Sequence, residues 1–182
     1  MVRLSPPDTG PTKMAAISLQ SDCAHCAALC CVTFEFEVSD DFAIGKPAET
    51  VCPNLDECGN CKVHDKLEDL GFRGCAVFEC YGAGQRVTQE IFGGRSWQDD
   101  PTLVQPMSRR FRQVRRLHEL LMLLEAAAAL SLAQADETLR RSWAERVDAM
   151  VSDGPSDEAI EEMGRDVHSF LRSLQRYVGR PS

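Results

Sequence analysis

No cysteine occurs after Cys80 and no lysine after Lys66 in this 182-residue chain. The two halves are therefore built from different stock. Long hydrophobic runs are also missing. The greasiest stretch, Leu120 to Ala133, is broken by Glu125 and falls short of the roughly 18 apolar residues that mark a membrane span, so the sequence predicts no membrane segment. Basic excess is lacking too: 20 Lys and Arg face 28 Asp and Glu, for a net charge of −8. That balance argues against nonspecific attraction to nucleic acid or anionic lipid. The first twenty residues hold Pro6, Pro7, Gly10 and Pro11 but no apolar run of about 7–15 residues, so a tail is expected there and a secretory leader is not.

What is present is concentrated in the first half. Residues 1–100 carry 8 Lys and Arg against 16 Asp and Glu, whereas residues 101–182 carry 12 of each. All nine cysteines lie between Cys23 and Cys80. With no leader to export the chain, they are expected in the cytoplasm, where disulfides are uncommon and thiol clusters usually serve metal or redox chemistry.

The expected fold is α+β: a flexible tail over 1–20, an irregular cysteine-rich metal-binding domain over 21–100 with short strands, and a three-helix all-α region over 101–182. Val32, Phe34, Phe36 and Val38 alternate with Thr33, Glu35 and Glu37, the pattern of a half-buried strand. Ala76 to Phe78 offers a second strand. Lys62 to Leu70 reads as a short helix turning Val63, Leu67 and Leu70 inward, with Gly71 as the left-handed residue that ends it. Helices are expected at about 108–132, 136–151 and 156–178. Their stripes are Phe111, Val114, Leu117, Leu121 and Leu124, then Leu139, Trp143, Val147 and Met150, then Ile160, Met163, Val167, Phe170, Leu174 and Tyr177, each at helical spacing. Asp153-Gly154-Pro155 should stop the second helix and Ser156 should cap the third.

Cys23-x-x-Cys26 opens the cluster, the adjacent pair Cys30 and Cys31 follows, and Cys52, Cys58, Cys61, Cys75 and Cys80 complete it. A CxxC turn lets two thiolates reach one ion, and a second pair closes a tetrahedron with Zn–S bonds of about 2.3 Å. Cys58-Gly59-Asn60-Cys61 has that form, so spacing alone makes Cys58 a ligand. Eight thiolates would make two four-cysteine centres with one cysteine over. Zinc and a [4Fe-4S] cluster both accept four thiolates, so ligand type leaves both open.

The run Cys23-x2-Cys26-x3-Cys30-Cys31 resembles the signature of the bacterial zinc- or iron-chelating CxxCxxxCC cysteine-cluster proteins. The segments DFAIGKP (41–47), CPNL (52–55), GFRGC (71–75), CYGAGQ (80–85) and FGGR (92–95) are similar to the cysteine-rich head of bacterial pentapeptide-repeat-containing proteins. The resemblance covers about residues 22–98, and more loosely the helix with Leu117-His118-Glu119-Leu120. It implies metal ligation by Cys23, Cys26, Cys30, Cys31, Cys52, Cys61, Cys75 and Cys80, with Cys58 extra. It implies no activity. No Ala-Asp/Asn-Leu-x-x runs occur here, so neither a β-helix nor nucleic-acid mimicry is carried over. A similar cysteine signature in flagellin lysine methylases motivates the iron–sulfur alternative in redox or enzyme support, although no methyl-donor site is legible.

His64, three residues past Cys61, is a possible further ligand. His25 is expected to face outward, and His118 and His168 to be core or surface residues. Gly82-Ala83-Gly84-Gln85 lacks the Lys-Ser/Thr of a P-loop and reads as a turn. Arg109, Arg110, Arg112, Arg115 and Arg116 crowd the start of the first long helix, where its dipole favours acids; docking onto the acidic half explains them. No catalytic triad or paired-carboxylate signature stands out. The expectation is a nonenzymatic module that binds metal ions, with a protein partner on the helical surface.

Overall fold

The computed structural model describes residues 18–178, and the expected tail over 1–20 lies outside them apart from its last three positions. Asp100 accepts a hydrogen bond from the Thr102 backbone N–H at 3.1 Å and caps a 3-10 turn over Pro101–Leu103, which runs straight into a 24-residue helix, Val104–Ala127. Pro101 and Pro106 sit where no intrahelical N–H is required. The helix thus begins four residues before the expected position 108, and it ends five before 132, where Ala128 and Ala129 have nothing to pack against.

In chain order the α-helices are α1 (Leu29–Thr33), α2 (Arg73–Ala76), α3 (Ala83–Gln85), α4 (the long helix, Val104–Ala127), α5 (Gln134–Asp153) and α6 (Asp157–Ser173). A π-helical turn, Arg86–Ile91, continues α3, and a 3-10 turn, Leu174–Tyr177, continues α6. Gly154, at φ 66°, ends α5 in the left-handed conformation that glycine adopts without steric cost. Ser156 caps α6 by accepting from the Ala159 N–H at 3.2 Å. Both boundaries follow from the Asp-Gly-Pro-Ser sequence.

α4 is the axle. It packs on α5, α6, α1, α3 and the π turn. Its stripe of Phe111, Val114, Leu117, Leu121 and Leu124 is buried throughout, as are Ile160, Met163, Val167, Phe170 and Leu174 on α6 and its extension. On α5 the buried positions are Val147 and Val151, while Leu139 is exposed. A single contiguous core joins these residues to Leu29, Val32, Ala83, Val87 and Trp97 of the cysteine-rich half.

The α+β expectation is overturned. Among the described residues the fold is all-α, with no strand and only isolated antiparallel bridges at Phe36–Lys46, Ser39–Phe42 and Leu55–Cys61. The 32–38 alternation misled because its four apolar residues meet four different environments. Val32 is fully buried inside α1, and Phe34 packs on Phe78 and Phe111. Phe36 stacks on Phe42 of its own loop at 4.5 Å, and Val38 is 72% exposed. The chain reverses at Ser39–Phe42, so the ladder stops after the Phe36–Lys46 pair. Ala76 ends α2 and Val77 is exposed, so no strand forms there either. Between Lys62 and Leu70 the structure has only a 3-10 turn, His64–Lys66, and Leu70 is exposed. Gly71 does take the left-handed φ of 78°.

Candidate metal centre

Cys23 and Cys26 stand at either end of a 3-10 turn, Cys23–His25, capped by Asp22, which accepts from the Ala24 N–H at 3.1 Å. His25 turns its Nδ1 to the Asp22 carboxylate at 2.8 Å, away from the thiols. This turn is pinned to α3. The Gln85 side chain accepts from the Asp22 N–H at 3.1 Å and donates to the Gln20 carbonyl at 2.7 Å, and Ser21 Oγ lies 2.9 Å from Cys80 Sγ. A methyl group on Gly84 would come within 2.7 Å of Cys26 Cβ, so only glycine allows α3 this close. The GAGQ segment is thus the turn that sets Cys80 beside Cys23 and Cys26.

Two pairs of consecutive residues here adopt positive φ: Ala27 and Ala28 at 48° and 50°, and Tyr81 and Gly82 at 51° and 75°. For a non-glycine residue this conformation costs roughly 1–2 kcal/mol. Each pair directly follows a cysteine, Cys26 or Cys80, and each is held from outside. Trp97 Nε1 donates to the Ala27 carbonyl at 2.7 Å and His118 Nδ1 to the Tyr81 carbonyl at 2.6 Å. Strained backbone held by its surroundings is a frequent property of ligand clamps.

Cys30 and Cys31 are neighbours on α1, with sulfurs 3.8 Å apart. They lie on a helix rather than an extended segment, so they diverge by about 100° around the axis. Cys31 faces the loop that carries the other thiols. The Cys52 N–H donates to the Cys31 carbonyl at 3.1 Å, the Leu55 N–H to the Cys52 carbonyl at 3.0 Å, and Leu55 bridges to Cys61. Cys75 lies in α2. Beneath this group Lys46, 4% exposed, donates from Nζ to the carbonyls of Val32, Pro47 and Thr50 at 3.1, 2.9 and 2.8 Å.

The electrostatics follow this geometry. Burial is the largest cause pushing the Cys26 thiol up to about 11, and the charges of Cys23 and Cys80 add to it. Cys23 is raised by burial and then by Cys80 and Cys31. Cys75 is pushed up to about 11 by burial and then by Cys31, Cys52 and Cys61, and Cys52 is raised by burial, with Cys31 and Cys61 contributing. The Cys30–Cys31 hydrogen bond splits that pair: Cys30 is raised and Cys31 lowered, the latter helped by the Lys46 ammonium. Mutual repulsion and partial burial hold most of these groups as thiols, and a soft cation is what would favour their thiolate form. The donor set suits a thiophilic metal, although no three Cys, His, Asp or Glu side chains among the described residues stand as a ready-made coordination shell.

Two cysteine-half candidates lie outside these groups. Cys58 is exposed on a loop tied by Asp56, which accepts from the N–H groups of Cys58 and Asn60 at 2.9 and 2.8 Å. The His64 side chain is 71% exposed and nearest to Asp65. The α4 arginines do reach the acidic half: Arg112 donates to the Thr33 carbonyl and pairs with Glu49, and Arg115 donates to the Glu79 carbonyl and covers the Phe78 ring. Arg110 and Arg116 instead serve the α5–α6 turn, at Val151 and Asp157. His118 and Trp97 are the contributors that sequence reasoning missed. A histidine in an apolar stripe is the only signal that pointed toward the first.

The chain is similar to the uncharacterized protein YybG of Bacillus subtilis (strain 168), at 36% identity over 132 residues. The match takes in 72% of this chain and 47% of the relative, so the chain spans about half the length of the relative it matches. No protein-family model and no solved structure matches it.

Proposed function

We propose that this chain is a nonenzymatic metal-binding module of the cytoplasm, akin to the CxxCxxxCC cysteine-cluster proteins, in which thiolates hold zinc and thereby fix the head. Its helical half presents a surface to a protein partner. The observation that carries the reading is that Cys26 and Cys80 each lead into a pair of positive-φ residues held from outside, by Trp97 and His118, while Gln85, Ser21 and Gly84 draw the Cys23–Cys26 turn and Cys80 to α3. A protein that needed these residues only as small apolar fillers would bury them, yet Cys23 and Cys75 are exposed and Cys30, Cys31, Cys61 and Cys80 are half-buried. Bound zinc would supply positive charge among mutually repelling thiolates and join loops that have little core of their own.

Purifying the full chain without oxygen, followed by elemental analysis and an absorption spectrum, tests this. Colourless protein with stoichiometric zinc is the expected result. Brown protein with iron and acid-labile sulfide moves the site to the [4Fe-4S] alternative. Folded protein free of metal, with all nine thiols open to alkylation, overturns the reading.

A further inference from the structure

We propose that the open groove between α4 and α6 is a docking site for an acidic segment of a protein partner, which lies in the recess at Gly164 with its carboxylates taken by Arg165 and Arg172. The inference rests on the reading of the helical half as a partner surface, names the chemistry of that partner, and does not depend on the cysteines.

The groove has a volume of about 560 Å³ and follows α6 from Ile160 to Arg172, with Arg116, Glu119 and Leu120 of α4 on its other side. That stretch of helix is about 18 Å long, more than a single small anion needs and the length of about five residues of extended chain. Leu120 and Ile160 are buried and close the bottom. Gly164 is the residue that the fold leaves unexplained. It stands inside the 17-residue α6, where glycine is a poorer helix former than any residue except proline. Its φ is not positive, and a Cβ added to it would meet nothing within 4 Å. Gly84 is required by the approach of Cys26, whereas no neighbour requires Gly164 among the described residues. What the missing side chain does is deepen the groove and open the α6 backbone to close approach. The charges divide in the same way. On the α4 side they are balanced: Arg116 lies 3.7 Å from both Asp157 and Glu161, and Glu119 lies 3.9 Å from Arg115. On the α6 side Arg165 and Arg172 are exposed and form no ion pair among the described residues, with His168 between them along the groove. Glu161, four residues before Arg165, is turned to Arg116 instead. The helix dipole favours a cation at Arg172 in the last turn of α6, but it gives no reason for Arg165 in the middle. The two arginines are about 10.5 Å apart along the axis, close to the roughly 10 Å between residues three apart on an extended chain. Each guanidinium can take a carboxylate through two parallel N–H donors. The whole chain carries −8 and repels an acidic partner at long range, so binding depends on these local contacts and weakens with salt.

The test titrates the full chain, labelled with nitrogen-15, with a short peptide that carries Glu at every third position and with a matched peptide that carries Lys there. Saturable binding of the Glu peptide, weaker at higher salt, is expected, with amide signals moving in α6 between Ile160 and Arg172 and in α4 near Arg116 and Leu120. The Lys peptide should not bind. The double variant R165E/R172E should lose about tenfold or more in affinity. Gly164→Leu, which fills the recess, should lose binding while its unfolding midpoint stays at or above that of the wild type. Equal binding of the Lys peptide, or binding of the Glu peptide that survives both variants, overturns the proposal. Signals that move on another helical face overturn the groove and leave the partner surface standing, whereas helices that respond to neither peptide remove both. Self-association in sedimentation that R165E/R172E abolishes gives the groove to the acidic half of a second copy and overturns a foreign partner.

Discussion

His118, fully buried in the middle of α4, donates from Nδ1 to the Tyr81 carbonyl at 2.6 Å and receives the Arg86 guanidinium on Nε2 at 3.3 Å. Arg86 is in turn paired with Asp148 of α5 at 2.6 Å. One neutral imidazole therefore links the turn after Cys80 to the helical core. Both contacts require the tautomer with the proton on Nδ1 and a bare Nε2. Burial is the main cause that lowers its pKa from the ordinary 6.5, and Arg86 adds to it while Tyr81 and Asp148 oppose.

The sign of the pH effect follows. The unfolded chain takes up a proton near pH 6.5 and the folded one only at lower pH. The contribution of His118 is thus complete above about 6.5 and is lost as pH falls from there through the folded value. Urea unfolding of the wild type should show this decline, and His118→Gln should show a shallower one over the same range. Identical slopes would mean that His118 does not titrate with folding.

Ala27 and Ala28 make an opposite kind of prediction. Glycine removes the roughly 1–2 kcal/mol positive-φ penalty and costs about 0.5–1 kcal/mol in unfolded-chain entropy. Ala28→Gly should therefore leave the fold unchanged and raise stability by about 0.5–1 kcal/mol. Trp97→Phe keeps the ring and deletes the bond to Ala27, so it should lower stability by about 1 kcal/mol. Both are read in one denaturation series, and destabilisation by Ala28→Gly would show that no strain is held there.

The helical half was legible because long helices announce themselves by period and by caps. Phe111 to Leu124, Gly154 and Ser156 all sit where spacing puts them. Leu139 was misplaced because the part of α5 that meets the core runs through Trp143, Val147, Met150 and Val151, and periodicity does not report where along its length a helix leaves the core. The head was legible in its chemistry and illegible in its shape. Its short segments take their conformation from tertiary contacts, such as Gly84 against Cys26 or Phe36 on Phe42, and these leave no periodic trace. The placement of the cysteines was equally hidden, since it depends on ties such as the Cys52 N–H to the Cys31 carbonyl and Ser21 Oγ to Cys80 Sγ.

Leu117 is fully buried on α4 and Phe170 is 7% exposed on α6. Leu117→Ala should cost about 2–5 kcal/mol and Phe170→Ala about 3–5 kcal/mol, through lost burial and the cavity left behind. Leu139, 47% exposed despite its place in the apolar stripe, should change stability by no more than about 0.5 kcal/mol when replaced by alanine. Equilibrium unfolding of the three variants separates a real core position from one that merely has core spacing. A large loss at Leu139 would mean that α5 buries its outer face against something further.

Lys46 offers the last and most discriminating case, because its ammonium has both a structural and an electrostatic task. Its three donors go to Val32, Pro47 and Thr50, and its charge helps lower the Cys31 thiol and opposes the rise at Cys52. Lys46→Met keeps the length of the stem and removes the head. Each buried carbonyl left without its donor costs roughly 1–3 kcal/mol, so chemical denaturation should show a clear loss of stability. If the charge also favours thiolates that hold a metal, Lys46→Met should give up its metal to a chelator more readily than the wild type. A variant that is destabilised yet releases metal as the wild type does would show that Lys46 ties the loop to α1 and does nothing for the thiols beside it.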